Sequence, residues 1–438
     1  MAFLWSLMRS CRVPNILRNK WYVKTTLYLP LLGPFPNSFF FRFFLCLIPL
    51  SRSSVLYANV QGYLAWTTCF ADCPEVLVRA LPIVQKDLAS LNESDTCLAL
   101  QAVSCMSSQV LARQLGEEVL KLLISHTSSV PVRKKAACVA LSFYRMEPSF
   151  VDLAEWLDRI APLLEHPQLG VAHCACLLAM ELVRHAPSSF SLFYKHAIDA
   201  LSAILLQNDV RRDYVYHRVP APWLQVQLLA LLRLYPRQPV LDADYKIKLH
   251  DILTFIWKQD VALAVKADVH EANARYSVQL EAMRLVVHLD ASSPLVSRFT
   301  ASLGQLLTSP ETNVRYLSME IMAHLAQRIP SLSSINLHRD VIFVALGDTD
   351  ISVRRRALDL LYAMCDRTNV RQIVRRLLDY LVVAEPSLRQ DLTLKISILA
   401  ELHTSESSWY IDTTLELLHV AGRHVSNTTW QRILQVVT

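Results

Sequence analysis

A chain of 438 residues with 53% hydrophobic residues is too long for one ordinary globular core and natural for an array of repeats, while its seven glycines are too scattered for a phosphate loop or a dinucleotide fingerprint. The formal charge of +6 is local: residues 1–60 hold seven Lys or Arg and no acid, leaving 37 basic and 38 acidic residues beyond them. That balance excludes general attraction to a phosphate backbone, and no nucleic-acid partner is expected.

Residues 1–60 read as an atypical N-terminal segment outside the fold. FFFRFFLCLIPL (39–50) is dense in Phe but interrupted by Arg42 and Pro49, and Pro30, Pro34 and Pro36 break the run before it. A bilayer span needs ~20 uninterrupted apolar residues, which this stretch does not supply. The segment is basic and acid-free like a targeting peptide, yet lacks the clean amphipathic pattern of one.

From residue 61 to 438 the pattern becomes regular. Val132, Ala136, Val139, Ala140 and Phe143 follow the 0, +4, +7, +8, +11 spacing of one helix face. The same template fits Val171, Ala175, Leu178, Ala179, Leu182, and then Leu224, Leu228, Leu231, Leu232, Tyr235. It returns at Val314, Ser318, Ile321, Met322, Leu325, with one small polar member, and at Val353, Ala357, Leu360, Leu361, Met364. A last helix starts at Leu388 and keeps Leu392, Ile396 and Leu399, with Lys395 as the exception. Val132 to Val171 and Val314 to Val353 are both 39 residues. A recurrence of ~40 residues without strand signals predicts an all-α, right-handed α-solenoid of HEAT- or armadillo-type paired helices. The turns HPQLG (166–170), SPETN (309–313) and GDTD (347–350) offer Pro, Gly or Asx/Ser caps ahead of the helices.

Arg133, Arg315 and Arg354 each follow the template's zero position. An arginine in a first helical turn opposes the helix dipole, so a nearby acid should offset it. Asp348 and Asp350 in the preceding turn are candidates for Arg354, and a ladder of Asp and Arg linking successive turns is the structural expectation. The functional alternative is a basic patch with contributions from Arg133-Lys134-Lys135, Arg211-Arg212, Arg354-Arg355-Arg356 and Arg375-Arg376. Short charge runs on helices are ordinarily solvated faces.

No catalytic constellation stands out: there is no HExxH, GxSxG or DxDxDG loop. The best metal set, His166, His173, Cys174 and Cys176, fails on helix geometry, because Cys174 and Cys176 point apart by about 200°. The ten cysteines form no CxxC pair and read as buried reduced thiols of a cytosolic protein. The glycosylation patterns at Asn92 and Asn427 carry no meaning there. No catalytic, cofactor-binding, metal or lipid-binding residue is assigned, and no cofactor or enzymatic activity is expected.

VPAPWLQVQLLALLRLYP (219–236), SPETNVRYLSMEIMAHLA (309–326), DTDISVRRRALDLLYAMCDRTNVRQIV (348–374) and SSWYIDTTLELLHVAGRHVSNTTWQRILQVV (407–437) resemble the trunk of the large adaptins, and VRKKAACVALSFYRMEPSFV (132–151) is similar to a repeat of that family. The PAPWL core, the LLYAMCDR string and Trp409-Tyr410 ahead of Ile411-Asp412-Thr413 favour the alpha class. The resemblance implies a scaffold subunit of a heterotetrameric clathrin adaptor complex, working in endocytosis at plasma-membrane coated pits. Its partners would be sigma-type small, mu-type medium and beta-type large subunits, with clathrin and a phosphoinositide membrane reached through the complex. The family's lysine-rich lipid site has no counterpart in residues 1–60, and its hinge and ear are missing, as expected of a truncated or fragmentary member. The alternative is another scaffold of the same architecture, such as a nuclear transport receptor or a phosphatase scaffold.

Overall fold

The computed structural model describes Tyr63, Leu64, Thr67 and, between 74 and 431, all residues except 153–154, 237–242, 259–267, 290–293, 329–332, 404–405 and 428–429. The atypical segment 1–60 lies outside them. The chain divides into two compact units, Met1–His196 and Ala197–Thr438.

The first unit contains α1 (Pro74–Leu88), α2 (Glu93–Cys105), α3 (Gln109–Ile124), α4 (Val130–Met146), the single turn α5 (Leu157–Ile160) and α6 (Leu169–His185). The boundary falls within α7 (Leu192–Leu205). Helices α2, α4 and α6 pack successively into one layer, and α3 lies against α4. Asn92 opens α2 by accepting from the Ser94 N–H at 3.1 Å, so this asparagine is a helix cap. Ser108 does the same for α3 through the Leu111 N–H.

The second unit continues with a two-residue hairpin, β1 (Val215–Tyr216) and β2 (Val219–Pro220), paired antiparallel. It then holds α8 (Pro222–Arg233), α9 (Ala243–Lys258), α10 (Val269–Leu289), α11 (Pro294–Leu306), α12 (Thr312–Ala326) and α13 (Ser333–Asn336). Helices α14 (Arg339–Ala345), α15 (Ile351–Ala363), α16 (Val370–Val383), α17 (Pro386–His403) and α18 (Ser407–Ala421) complete it. Here α8, α10, α12, α15 and α17 form the successive layer, with α9, α11, α14 and α16 packed on its members. The described residues are therefore all-α apart from the hairpin, which the strand-free reading did not foresee. No helix among them is long and apolar enough to cross a membrane.

Every apolar residue of the template is buried, in all six helices that carry it. Ser318, the polar member on α12, is satisfied by donating to the Val314 carbonyl at 2.7 Å. A second buried column runs beside the first at +5: Ala137, Cys176, Leu229, Met319, Leu358 and, on α17, Thr393. The second column exists because each layer helix must cover both its antiparallel mate and a neighbour in the layer. Each fully buried Leu or Met contributes roughly 1.5–3 kcal/mol, so these columns dominate cohesion. Helix α10 belongs to the same layer but escaped the template, since Gln279 and Glu281 occupy buried positions among Ala274, Val278, Ala282 and Leu285.

Candidate functional site

The arginines after the zero position reach forward to the turn of the next repeat. Arg315 grips Asp348 with two nitrogens, at 2.9 and 3.1 Å, and also donates to the carbonyls of Ser309 and Pro310. Arg354 donates to Glu385 at 2.8 Å. The expected ladder between turns exists, with a correction to its register: Asp348 serves Arg315 of the previous repeat, not Arg354. Asp350 caps its own helix by accepting from the Ser352 N–H at 2.7 Å, which holds its carboxyl below the usual range. Of the three turns read as caps, GDTD alone supplies a side-chain cap at its helix; Gln168 and Glu311 occupy the other two cap positions without one.

A second, longer chain of charge crosses the second unit. Arg233 of α8 pairs with Glu281 of α10 at 3.0 Å, and Glu281 with Arg284 at 3.2 Å. Arg284 pairs with Glu320 of α12, which lies 3.7 Å from Arg356 of α15. Arg356 pairs with Asp359 at 3.3 Å and also covers the Tyr316 ring at 5.1 Å while donating to its hydroxyl. Asp359 then meets Lys395 of α17 at 2.9 Å, and Lys395 meets Asp391 at 2.7 Å. Four cations and four anions thus alternate over five helices. Lys395, the misfit of the apolar template, is the last cation of this chain, and its side chain is 16% exposed. Burial alone would lower its pKa, but hydrogen bonds to Asp391 and Asp359 outweigh burial and raise it.

The basic-patch alternative loses Arg354, Arg356 and Arg375 to carboxylates. Arg375 is held by Glu416 at 2.9 Å and Arg376 lies over the Phe343 ring at 5.5 Å. Lys135 donates to Gln101 of α2 at 2.9 Å. Arg211, Arg212 and Arg355 are exposed.

The four residues weighed for a metal do not converge. His166 takes the Gln168 N–H on Nδ1 and faces Arg133 with Nε2. Cys176 is fully buried in the +5 column, where burial pushes its thiol up to about 12. Cys174 instead shares a hydrogen bond with Cys138 of α4, which lowers the Cys138 thiol and raises that of Cys174. Among the described residues no group of three or more His, Cys, Asp and Glu has metal-binding geometry. The reading of cysteines as uniformly buried is corrected: Cys105 and Cys138 are exposed, Cys97 and Cys174 are half-buried, and all of the described six are free.

The hairpin was invisible in the sequence. Its loop residues His217 and Arg218 both have left-handed φ, 43° and 68°, in a two-residue turn that normally carries Asn-Gly. His217 bonds to Asp268 at 2.7 Å, and Tyr216 meets the half-exposed Trp223 edge-on at 4.8 Å between ring centres. Taken together, the described polar groups fix helices relative to one another. None forms a nucleophile, base and orienting partner in sequence.

Comparison with known proteins agrees with this reading. The family described as the adaptin N terminal region matches residues 18–438. The AP-2 complex subunit alpha-1 of Arabidopsis thaliana is 36% identical over 436 residues, covering 98% of this chain and 42% of that protein. This chain thus spans well under half the length of that relative. Among structures, a homology model of the full-length AP-3 complex in an intermediate open conformation superposes with a TM-score of 0.54 at 19% identity, over 94% of this chain and 70% of that one. Yeast importin-beta (Kap95p) gives 0.56 at 13% identity, over 92% and 53%, a likeness of fold alone. With buried columns, forward-reaching arginines and a family match across nearly the whole sequence, the chain belongs to the adaptin family.

Proposed function

We propose that this chain is an alpha-type large subunit of a heterotetrameric clathrin adaptor complex and scaffolds its partner subunits during cargo sorting and coat formation in endocytosis. The observation that carries this reading is the 36% identity to an AP-2 alpha subunit over 98% of the chain. The sequence strings at 219–236, 309–326, 348–374 and 407–437 support the same class. Its partners are sigma-type small, mu-type medium and beta-type large subunits, and clathrin and phosphoinositide membranes are engaged through the assembled complex. It works at the cytoplasmic face of the plasma membrane, in coated pits, by protein contact and not by catalysis. The charge balance of the repeats supports protein partners over nucleic acid. A nuclear transport receptor shares only the architecture.

Co-expression of the full chain with the three partner subunits, followed by affinity purification through this chain, tests the reading. Stoichiometric recovery of the sigma-type and mu-type subunits is expected. Recovery of the chain as a free monomer that instead binds a Ran-type GTPase would overturn it.

A further inference from the structure

Arg133 occupies the same position as Arg315 and Arg354, but its surroundings differ. It is 7% exposed, and among the described residues no carboxylate pairs with it. Its Nε donates to the Leu123 carbonyl at 3.0 Å and its Nη1 lies 2.8 Å from His166 Nε2. His166 stands 33 residues on, where Asp348 stands relative to Arg315. The nearest acid of that turn, Glu165, is engaged with His196 at 2.5 Å.

The contact with His166 is frustrated. The ring's Nδ1 faces the Gln168 N–H at 3.0 Å and its Nε2 faces the guanidinium. A neutral imidazole has one N–H and one acceptor, so whichever nitrogen carries the proton meets a second donor. Burial first, and then the Arg133 charge with that of His126, hold His166 below the ordinary histidine range. One helical turn back, Ser129 is the N-cap residue of α4, makes no capping bond, and leaves its Oγ buried without a partner. Lys134 lies along Gly170 at the start of α6, where an added Cβ would come within 3.2 Å of its Cδ, so the positive field extends over that turn. A buried cation and a ring with donors on both sides share one deficit, a missing anionic acceptor.

We propose that Arg133 and His166 form a receiving site for a carboxylate presented by an acidic segment of a partner protein. The repeats themselves indicate the chemistry: at the two equivalent positions the acceptor is Asp348 or Glu385. A carboxylate accepts from the guanidinium, and lets His166 donate through Nε2 while Nδ1 keeps the Gln168 N–H. The site does not depend on the adaptor reading, because it follows from unpaired groups on α4 and the turn before α6.

The test uses the full chain and a fluorescein-labelled hexaglutamate peptide, with binding read by anisotropy at fixed pH and low salt. Saturable binding is expected, weakened about tenfold or more by Arg133→Met, as loss of a charged hydrogen bond implies. Lys121→Met, which removes an exposed charge elsewhere, should leave it unchanged. His166→Asp supplies the carboxylate within the chain, so it should both weaken peptide binding and raise the melting temperature. This variant carries the test if Arg133→Met fails to fold. Equal binding by wild type and Arg133→Met, equal weakening by Lys121→Met, or a lowered melting temperature for His166→Asp would overturn the proposal. So would Arg133-dependent binding to phosphatidylserine vesicles without binding to hexaglutamate, which would make the site one for lipid phosphate.

Discussion

The two units use the same buried columns but join their layers differently. In the first, an ion pair between Arg145 of α4 and Glu181 of α6 at 2.9 Å stands among contacts to neutral partners, Lys135 to Gln101 at 2.9 Å and Ser142 to Ser107 at 2.8 Å. In the second, an alternating chain from Arg233 to Asp391 runs over five helices. The difference teaches that a helical repeat fixes where a cross-helix contact falls, while leaving its chemistry free. Cohesion is common to both units, and polar tuning is particular to each.

If that is right, the largest effects should be the same in both units. Leu178→Ala and Leu360→Ala each remove a fully buried column residue and should each destabilise by about 2–5 kcal/mol, measured by thermal or denaturant unfolding. A loss confined to one unit would break the comparison at its base. Next come the rungs, where the units should part. Glu281 has a side chain only 7% exposed between two arginines, so Glu281→Ala should cost about 2 kcal/mol by taking the carboxylate from Arg233 and leaving Arg284 with Glu320 alone. Lys135→Met in the first unit, which cuts an exposed contact, should change stability by under about 0.5 kcal/mol.

The smallest effect is a pH dependence. The Lys395 pKa is raised in the fold by Asp391 and Asp359 despite burial. Its contribution is therefore fully present below the ordinary lysine value and is lost as pH rises through the folded one. Lys395→Met should remove this alkaline loss, seen as a flatter melting-temperature profile above about pH 10.

The shared part of this picture was open to a reader of the sequence. A period of 3.6 residues marks the column from Val132 to Phe143 or from Val353 to Met364 without any knowledge of neighbours, and so does the 39-residue recurrence. The ladder between turns was legible in kind, because an arginine in a first turn demands an acid, but its register required the packing that sets Asp348 beside Arg315. Helix α10 was obscured by Glu281, whose burial makes sense only with Arg233 and Arg284 alongside. The +5 column mixes Ala, Cys, Leu, Met and Thr, a set with no common hydropathy. The hairpin escaped because His217-Arg218 is not a pair that favours left-handed φ. Nor could the missing acid at Arg133 be noticed until its two counterparts were seen with theirs.

The division between common columns and separate rungs meets its most direct test in hydrogen exchange followed by mass spectrometry, on the full chain, at about 50 mM and about 1 M salt. Higher salt should speed exchange most in α8, α10, α12, α15 and α17, whose rungs form a continuous ionic chain, and less in α2, α4 and α6, where the ionic rung is Arg145 to Glu181. Equal loss of protection in both layers, or loss confined to the first, would contradict the account.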